Sequence, residues 1–496
     1  MAIAIERRYG YGMKTLKIEL PTLSPADAEL LGLTASDAAR LIRAKDIPHP
    51  QYIDAIIRRV AATRPFGGLI SSQIDEVRRA TAALASESEL SPKGELAGIP
   101  IVIKDNIDVA GTVTTAGSPA LEHAVAHHDA PLVKRLRDEG AFILGKANMH
   151  EFALGITNIN AAYGPARNPA DPERIAGGSS GGTATVISTL AAPAGVGTDT
   201  GGSIRIPAAL CGIVGFRPSI GRWPSGGIVP ISPTLDTAGP MARSVADCAL
   251  LDSIVCNEPH HLEKVSLSGL RIGVPRPHFW ADLASEMRSA ADAVLTLLRS
   301  QGVVLVECEV AEISELSQGS PTVALFELIS SVQNYFVDHD LRFESTSFLK
   351  AVRSPDVRAI FESLFNEHPM ARGPYEHAIS VLRPQLQRAY RDCFVKQKLD
   401  AIVFPTTPLA ATRIKDGENI LLNGKIVPAF ATFIRNTSPS AFAGIPGISL
   451  PMRRTKSGLP QGIEFDAPYG TDRRLLAIAS SIEALLGIPE QVEGQS

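Results

Sequence analysis

Cysteine and long hydrophobic runs are scarce in this sequence. Its five cysteines are scattered without CxxC spacing, which argues against a disulfide framework and against a zinc site. A membrane-spanning helix needs about 18 apolar residues without charge; residues 184–198 come closest, and Pro193 and two glycines interrupt them. The first residues lack the apolar core of a signal peptide. These absences argue against a secreted or membrane-embedded protein and predict a cytoplasmic one.

An excess of charge of either sign is also absent. The chain has 48 basic and 52 acidic residues, well mixed, with a net charge of −4. Without a basic block, nucleic acid is not expected as a partner. No internal repeat, low-complexity tract or linker rich in Ser, Gly and Pro divides the sequence. With 496 residues, 45% of them hydrophobic, the chain is long enough to form one large continuous unit.

Helical and strand-like segments alternate along the chain. Residues 22–90 are predicted to be helical, with Thr34 or Ser36 as the cap of one helix. Short apolar runs rich in β-branched residues predict strands, and amphipathic stretches predict helices between them. The predicted strands are 100–103, 141–145, 270–274, 303–306 and 401–404, and the further helices are 130–139, 183–190 and 285–299. This alternation predicts an α/β fold with a sheet covered by helices on both faces.

Two runs of glycine and serine flank the predicted helix 183–190. The first is Gly-Gly-Ser-Ser-Gly-Gly at 177–182, and the second is Gly-Thr-Asp-Thr-Gly-Gly-Ser at 197–203. Glycine-rich backbone leaves N–H groups free to bind a ligand, and the start of a helix favours negative charge. A serine in such a place is typical of a nucleophile beside an oxyanion hole. The pattern therefore predicts acyl transfer.

Two other interpretations of these runs are weaker. Residues 178–182 match the nucleophile elbow with Ser180 at its centre, but residues 168–174 form a loop where that motif requires a strand. Histidines occur downstream, so a Ser-Asp-His triad stays open. The Asp-Thr-Gly at 199–201 resembles one half of an aspartic protease site. Its second half would be the imperfect Asp-Thr-Ala-Gly at 236–239.

A nucleophilic Ser203 needs a group that accepts its proton, and no histidine lies near it in sequence. A lysine can take this role where burial lowers its pKa, because burial disfavours the charged form. Lys104 directly follows the apolar run 100–103 and is the natural candidate. Its local sequence by itself favours an ordinary solvated lysine at the end of a strand.

The segment 104–247 resembles the amidase signature family. Lys104, Ser179 and Ser203 stand at the family's catalytic spacing. The motifs that carry the resemblance are Lys-Asp-Asn at 104–106, Asn-Met-His-Glu at 148–151, the two glycine-serine runs, Ile-Arg at 204–205, Pro-Ala at 207–208, Cys-Gly at 211–212 and Gly-Pro-Met-Ala-Arg-Ser at 239–244. Each motif alone is weak evidence, whereas the ordered set is specific.

The resemblance implies one large amidase domain over residues 1–496, with a mixed, twisted central sheet between helices. Within it we expect an N-terminal helical segment at about 22–90, a signature core at about 100–250 and a C-terminal part at about 400–490 that forms the substrate pocket. Neither a cofactor nor a metal is implied. The expected partner is a small-molecule amide, and the sequence leaves a homodimer open.

For the site, the resemblance implies a Ser-Ser-Lys triad. In this scheme Ser203 attacks the amide carbonyl and becomes an acyl-ester. Ser179 relays the proton of Ser203 towards Lys104, which is the terminal base. In the family the peptide bond that enters the position of Ser179 is cis, and Gly178 makes this sterically tolerable.

The resemblance also implies an oxyanion hole made by the backbone N–H groups of Thr200, Gly201, Gly202 and Ser203. Removing one donor from such a hole typically costs about a hundred- to thousandfold in rate. The neighbouring charged pair Asp199 and Arg205 is expected to stabilise this loop through an ion pair. We predict no chemical role for it.

The C-terminal part resembles the indoleacetamide and mandelamide hydrolase branch of the family. The motifs that carry this likeness are Pro-Thr-Thr-Pro at 405–408, Leu-Asn-Gly-Lys at 422–425, Thr-Phe-Ile-Arg-Asn-Thr at 432–437, Ala-Gly-Ile-Pro-Gly at 443–447 and Thr-Asp-Arg-Arg-Leu-Leu at 471–476. The likeness implies a primary amide of a small aryl-substituted acid, cleaved to the acid and ammonia.

Five residues are candidates for contact with the substrate. By resemblance, Gly178, Thr198 and Ile156 lie beside the acyl pocket. Phe430 and Phe433 suit an aromatic group as pocket walls, and they suit the hydrophobic core equally well.

The identity of the amide stays open because the sequence departs from the branch at Trp223-Pro224, Ala441-Phe442 and Met452-Arg453. An anilide, hydrazide, ester or carbamate is an alternative substrate. A glutamine-dependent amidotransferase A subunit is a further alternative, since that protein shares the same three catalytic residues. The C-terminal motifs and the lack of a basic face disfavour it.

Overall fold

A large mixed β-sheet forms the centre of the protein. The computed structural model describes residues 18–86, 94–367 and 371–487. The strands of this described part are β1 (Leu69–Ser72), β2 (Pro100–Lys104), β3 (Phe142–Ala147), β4 (Arg167–Asn168), β5 (Asp171–Ile175), β6 (Ala194–Asp199), β7 (Val214–Arg217), β8 (Thr237–Ala242), β9 (Arg271–Pro275), β10 (Val304–Cys308), β11 (Ala401–Pro405), β12 (Asn419–Leu422), β13 (Lys425–Pro428), β14 (Gly447–Pro451) and β15 (Gly462–Asp466).

In the central sheet the strands lie in the order β1-β3-β2-β6-β8-β7-β14-β15-β11-β9-β10. Parallel pairing joins β3 to β2, β2 to β6, β11 to β9 and β9 to β10, and the other neighbours are antiparallel. Two small ribbons, β4 with β5 and β12 with β13, lie outside this sheet. The sheet is therefore mixed, as expected.

Helices surround the sheet. They are α1 (Pro25–Gly32), α2 (Ala35–Arg43), α3 (His49–Thr63), α4 (Ile74–Ser86), α5 (Pro131–Asp138), α6 (Gly181–Ser188), α7 (Arg205–Cys211), α8 (Val245–Cys256), α9 (Arg276–Phe279), α10 (Ser285–Ser300), α11 (Ile313–Leu316), α12 (Gly319–Asp338), α13 (Ser345–Ala351), α14 (Pro355–Glu362), α15 (Arg372–His377), α16 (Arg383–Gln397), α17 (Ala429–Ile434), α18 (Ser438–Ala443) and α19 (Asp472–Leu486). Every residue of β2, β6, β8, β11, β14 and β15 is buried. Because neighbouring side chains point to opposite faces of a strand, the sheet is covered on both faces.

The predicted alternation of helices and strands is confirmed. Each of the five predicted strands overlaps an observed one, and the predicted helices 130–139, 183–190 and 285–299 correspond to α5, α6 and α10. Thr34 is the cap of α2, since its hydroxyl accepts the backbone N–H of Asp37 at 3.1 Å. The apolar residues of these segments are the buried ones, as continuous runs in strands such as β2 and β11 and along one side of helices such as α10, which is why the sequence predicts them.

The prediction for residues 22–90 was wrong at one point. Helices α1 to α4 do occupy this segment, but strand β1 separates α3 from α4 and pairs antiparallel with β3 at the edge of the sheet. Only Leu69 and Ile70 of its four residues are apolar, so β1 lacks the apolar run that predicts the other strands, and its pairing with β3 makes it a strand. Residues 87–90 of the predicted segment lie outside the described residues.

The topology brings the candidate site residues to one end of two neighbouring strands. Strands β2 and β6 run parallel, with Ile103 opposite Val196. Lys104 therefore ends β2 next to Thr198 at the end of β6. Parallel strands present their carboxyl ends at the same edge, where the following loops meet. Helix α6 begins beside this edge, with Ser180 as its first flanking residue.

Candidate active site

Lys104 lies at the centre of the candidate site and is completely buried. Its Nζ lies 2.8 Å from Ser179 Oγ, 2.7 Å from Thr198 Oγ1 and 3.5 Å from the backbone oxygen of Thr198. None of the described carboxylates forms a salt bridge with it. The amine is thus held by neutral oxygen atoms alone.

Burial lowers the pKa of Lys104 to about 7, although the negative charges of Asp199 and Asp236 oppose this shift. A buried ammonium loses its hydration, so the neutral amine becomes the favoured form near neutral pH. The solvated lysine that its local sequence favours is therefore not what the fold produces. A neutral amine has a lone pair and is able to accept a proton.

Ser179 is buried, and the peptide bond between Gly178 and Ser179 is cis. Its carbonyl oxygen accepts the backbone N–H of His150 at 3.2 Å. Gly178 is closely surrounded, because an added Cβ would lie 3.0 Å from the backbone nitrogen of Asn158 and 3.2 Å from the carbonyl carbon of Ile156. The backbone around Ser179 is thus fixed on both sides.

The neighbouring Ser180 has a different environment. Its hydroxyl donates to the backbone oxygen of Thr198 at 3.2 Å and accepts the N–H of the same residue at 3.3 Å. No histidine contacts this hydroxyl among the described residues. These contacts bind α6 to β6 and leave Ser180 without the base that a nucleophile elbow requires.

Ser203 lies in the loop that follows β6, with 7% of its surface exposed. Its backbone oxygen accepts the N–H of Ser180 at 3.2 Å, which joins the two glycine-serine runs. Within residues 18–86, 94–367 and 371–487, no hydrogen bond of Ser203 Oγ is found, to Ser179 or to any other group. The hydroxyl is therefore free to meet a ligand.

The loop 200–203 presents a row of unpaired backbone donors. In the described part of the chain, none of its four N–H groups finds a protein acceptor. Residues from other segments of the chain fix the position of the loop through hydrogen bonds. Thr200 Oγ1 donates to Asp236 at 2.6 Å, and Thr437 Oγ1 donates to the backbone oxygen of Gly201 at 2.6 Å. Gly202 has a φ of 143°, and a Cβ there would collide with Thr437.

A buried ionic network supports this loop. Arg205 Nε lies 3.1 Å from Asp199, as expected, and Arg217 Nη1 lies 2.9 Å from the same carboxylate. Arg205 also binds Glu464 on β15. Burial would raise the pKa of Asp199, but the two guanidinium groups outweigh it and hold the pKa below its usual value.

Sequence reasoning missed several of these positions. Arg217 on β7 and Glu464 on β15 carry no local signal. Asp236 and Thr437 stood in motifs, but neither motif predicted their contact with the loop 200–203. Asn106 was part of a motif but received no role. Its Nδ2 donates to Thr198 Oγ1 at 3.1 Å.

The candidate residues for substrate contact differ in how far they are buried. Ile156 is 3% exposed and Phe433 is fully buried, and both belong to one hydrophobic cluster with Ile206 and Leu210. Phe430 is 51% exposed. Of the two phenylalanines, only Phe430 keeps surface that a ligand can reach.

The described part of the chain offers no metal site, since no group of three or more His, Cys, Asp and Glu is arranged to bind a metal ion. All five cysteines are free thiols. None of the helices in residues 18–86, 94–367 and 371–487 has the length and apolar character needed to cross a bilayer.

Similar proteins are known for almost the whole chain. Indoleacetamide hydrolase of Agrobacterium vitis is 39% identical over 443 residues, which cover 89% of this chain and 94% of that protein. Mandelamide hydrolase of Pseudomonas putida is 38% identical over 474 residues, which cover 92% of each chain.

Solved structures agree with this likeness. A crystal structure of an amidase superposes with a TM-score of 0.82 at 31% identity, covering 92% of this chain and all of that one. The peptide amidase of Stenotrophomonas maltophilia has a TM-score of 0.77 at 28% identity, covering 91% and 96% of the two chains. The family model described as Amidase matches residues 51–476. The chain therefore belongs to the amidase family, hydrolases that act on carbon–nitrogen bonds other than peptide bonds.

Proposed function

We propose that the enzyme hydrolyses its amide through an acyl-ester on Ser203. Ser203 Oγ attacks the carbonyl carbon while its proton passes to Ser179 Oγ, and the proton of Ser179 passes to the neutral amine of Lys104. The tetrahedral intermediate then expels the amine, which takes the proton back through Ser179. Water attacks the acyl-ester by the same proton path and releases the acid, which restores Ser203.

The contact between Lys104 and Ser179 carries this proposal. The buried amine lies 2.8 Å from Ser179 Oγ, and its pKa of about 7 makes it a base at neutral pH. General bases work best when their pKa is close to the working pH. Ser203 Oγ, with no protein partner among the described residues, suits the role of attacking group.

The loop 200–203 supports the second half of the chemistry. A tetrahedral intermediate carries negative charge on the former carbonyl oxygen, and preorganised N–H groups stabilise that charge. The N–H groups of Thr200, Gly201, Gly202 and Ser203 lack acceptors within the described residues, while side chains behind the loop fix its shape. We assign them to the oxyanion hole.

For the substrate we propose the amide of a small aryl-substituted acid. The similarity to indoleacetamide and mandelamide hydrolases over about nine tenths of the chain supports this class. Ile434 on α17 has a side chain that packs against Gly201, and Phe430, exposed on the same helix, adds apolar surface for an aryl group. An anilide, hydrazide, ester or carbamate is the alternative if the pocket has a different shape.

The test is ammonia release from indoleacetamide, mandelamide, phenylacetamide, an aliphatic amide and glutamine. Ser203→Ala is the inactive comparison. The control Ser253→Ala removes a buried hydroxyl that only bonds the carbonyl of Leu250 in its own helix, and it should keep wild-type activity. We expect turnover of the aryl amides and none with Ser203→Ala.

Each other outcome has a definite meaning. Activity in Ser203→Ala would contradict the mechanism. Turnover of glutamine alone would favour an amidotransferase A subunit. The crystal structure of such a subunit from Thermotoga maritima superposes on this chain with a TM-score of 0.67 at 27% identity, covering 95% of this chain and 96% of that one. Silence across the panel, with Ser203 still labelled by a serine-reactive probe, would keep the mechanism and overturn the aryl amide.

A further inference from the structure

The orientation of the Lys104 amine is set by Thr198. An amine that accepts a proton from Ser179 must point its lone pair at Ser179 Oγ and place its two N–H groups elsewhere. The other oxygen atoms within reach both belong to Thr198, namely Oγ1 at 2.7 Å and the backbone oxygen at 3.5 Å. Thr198 therefore has to act as a double acceptor for the amine to work as a base.

The hydroxyl of Thr198 can also act as a donor to Lys104 instead of an acceptor. A hydroxyl has one hydrogen and two acceptor lone pairs, and it rotates to suit its neighbours. If its hydrogen turned towards Lys104, it would occupy the lone pair that Ser179 needs. Something must hold the Thr198 hydroxyl so that its lone pairs face the amine.

Asn106 is the group that does so. It is 2% exposed, and its Nδ2 donates to Thr198 Oγ1 at 3.1 Å and to the backbone oxygen of Val229 at 3.4 Å. Its own backbone oxygen accepts the N–H of Val229 at 2.8 Å. The backbone and the side chain of Asn106 thus both form hydrogen bonds with Val229, which restricts the orientation of the side-chain amide.

The two donors together saturate the hydroxyl. Lys104 Nζ takes one lone pair of Thr198 Oγ1 and Asn106 Nδ2 takes the other, so the Thr198 hydrogen is directed away from both. Asn106 does not touch Lys104 through any hydrogen bond in the described residues. Its effect on the base passes through Thr198.

We propose that Asn106 is a positioning residue that keeps the lone pair of Lys104 directed at Ser179 by holding Thr198 as an acceptor. This inference rests on the proposed function, in which Lys104 is the base. It gives a role to a side chain that, among the described residues, forms no hydrogen bond with the attacking serine or with the loop 200–203.

The experiment compares Asn106→Leu, Thr198→Val and the double variant by kcat, KM and pH profile. We expect Asn106→Leu to lower kcat about tenfold or more with KM nearly unchanged. The acidic limb of the profile should move to lower pH, because a freed Thr198 hydroxyl stabilises the neutral amine. Thr198→Ser, which keeps the hydroxyl, should recover most of the activity that Thr198→Val loses.

The double variant gives the sharpest distinction. If Asn106 acts only through Thr198, adding Asn106→Leu to Thr198→Val should cost almost nothing more, whereas independent effects would multiply. As a matched control, Asn168→Leu removes another buried amide that bonds the carbonyls of Ile175 and Leu210. It should lower the melting temperature and leave the pH profile of the folded enzyme unmoved.

Two failures are distinguishable. Wild-type kcat in Asn106→Leu, multiplied losses in the double variant, or an unmoved acidic limb would each overturn the role of Asn106. Activity in Ser203→Ala, measured in the same assay, would instead overturn the proposed function on which this role depends.

Discussion

Two buried lysines of this protein show how neighbouring residues decide the chemistry of a side chain. Lys104 and Lys146 end up on the adjacent strands β2 and β3, and both are completely buried. Lys146 Nζ lies 3.2 Å from a carboxylate oxygen of Asp105. Among the described residues, Lys104 Nζ forms hydrogen bonds only with hydroxyl and carbonyl oxygens. Burial without a salt-bridge partner lowers the pKa of Lys104, because the ammonium form loses its hydration.

At the scale of the residue, we predict the pH dependence of the reaction from Lys104. Its pKa of about 7 means that the ammonium form dominates below pH 7 and cannot accept a proton. The kcat/KM should therefore fall about tenfold per pH unit on the acidic side of 7 and level off above it. Steady-state rates from pH 5 to 9 measure this profile.

The control for this profile is Lys104→Met, which should lose about a hundred- to ten-thousandfold in rate and keep no acidic limb at pH 7. A substrate whose chemical step is rate-limiting is required. A flat wild-type profile with such a substrate would contradict the assignment of Lys104 as the base.

At the scale of the element, helix α12 holds the loop 231–236 behind the site. Glu327 on this helix accepts the hydroxyls of Ser232 at 2.5 Å and Thr234 at 2.6 Å, the Thr234 N–H at 3.2 Å and the Tyr375 hydroxyl at 2.9 Å. The same loop carries Asp236, which binds Thr200. A helix far from the site in sequence thus fixes one end of the loop 200–203.

We predict that Glu327→Gln reduces both stability and rate. Glutamine keeps the shape but has one acceptor oxygen, and hydrogen bonds to a charged group are worth about 1.5–3 kcal/mol each. The melting temperature should fall. The kcat should fall about tenfold because a shift of the loop displaces donors at the site. Thermal unfolding and steady-state kinetics measure the two effects.

Tyr375→Phe is the matched variant for Glu327. It removes one donor from Glu327 Oε1, the oxygen that also accepts the Thr234 hydroxyl, and it leaves every contact between Glu327 and the loop 231–236 in place. A small loss of stability with unchanged kcat is expected. If Tyr375→Phe and Glu327→Gln lowered kcat equally, the link between α12 and the site would not run through this loop.

At the scale of the whole molecule, distant segments are joined by carboxylates at helix starts, those of the buried Asp247 and the partly buried Glu483. Glu483 on α19 accepts the backbone N–H of Val245, at the start of α8, at 2.9 Å. Asp247 on α8 accepts the N–H groups of Ala35 at 2.8 Å and Ser36 at 3.0 Å, at the start of α2. The N-terminal helices, the core and the last helix are thus connected through one chain of contacts. Unpaired N–H groups and the helix dipole favour carboxylates there.

We predict from Glu483 that the folded protein loses stability as the pH rises. Burial, together with the negative charge of Asp247, raises the pKa of Glu483 to about 7, although the hydrogen bond from the Val245 N–H opposes this shift. The folded protein therefore binds this proton more tightly than the unfolded chain does. The resulting stabilisation, on the order of 2 kcal/mol, is present at low pH and is lost between about pH 4.5 and pH 7.

Thermal unfolding at pH 5 and pH 8 measures this dependence, and Glu483→Gln should flatten it, because glutamine resembles the protonated acid at every pH. The exposed Glu263→Gln serves as control and should leave the dependence unchanged. An equal pH dependence in wild type and Glu483→Gln would contradict the prediction.

The sequence alone determined the type of fold, and it marked the segments to which we assign the chemistry. Apolar runs such as 100–103 and 401–404 predict strands that are buried on both faces, and the amphipathic 285–299 predicts a helix that is buried on one side. The two glycine-serine runs likewise mark a ligand-binding backbone, since few other sequences leave N–H groups free beside a helix start.

Only the tertiary structure decided which residues complete the site. The pairing of β1 with β3, the contacts of Arg217 and Glu464 with the Asp199–Arg205 pair, and the bond from Asn106 to Thr198 join segments that are distant in sequence. The tertiary structure also decided that Phe430 is exposed whereas Phe433 is buried. Such contacts depend on how strands and helices pack against each other, and neither propensity nor periodicity within a segment encodes that packing.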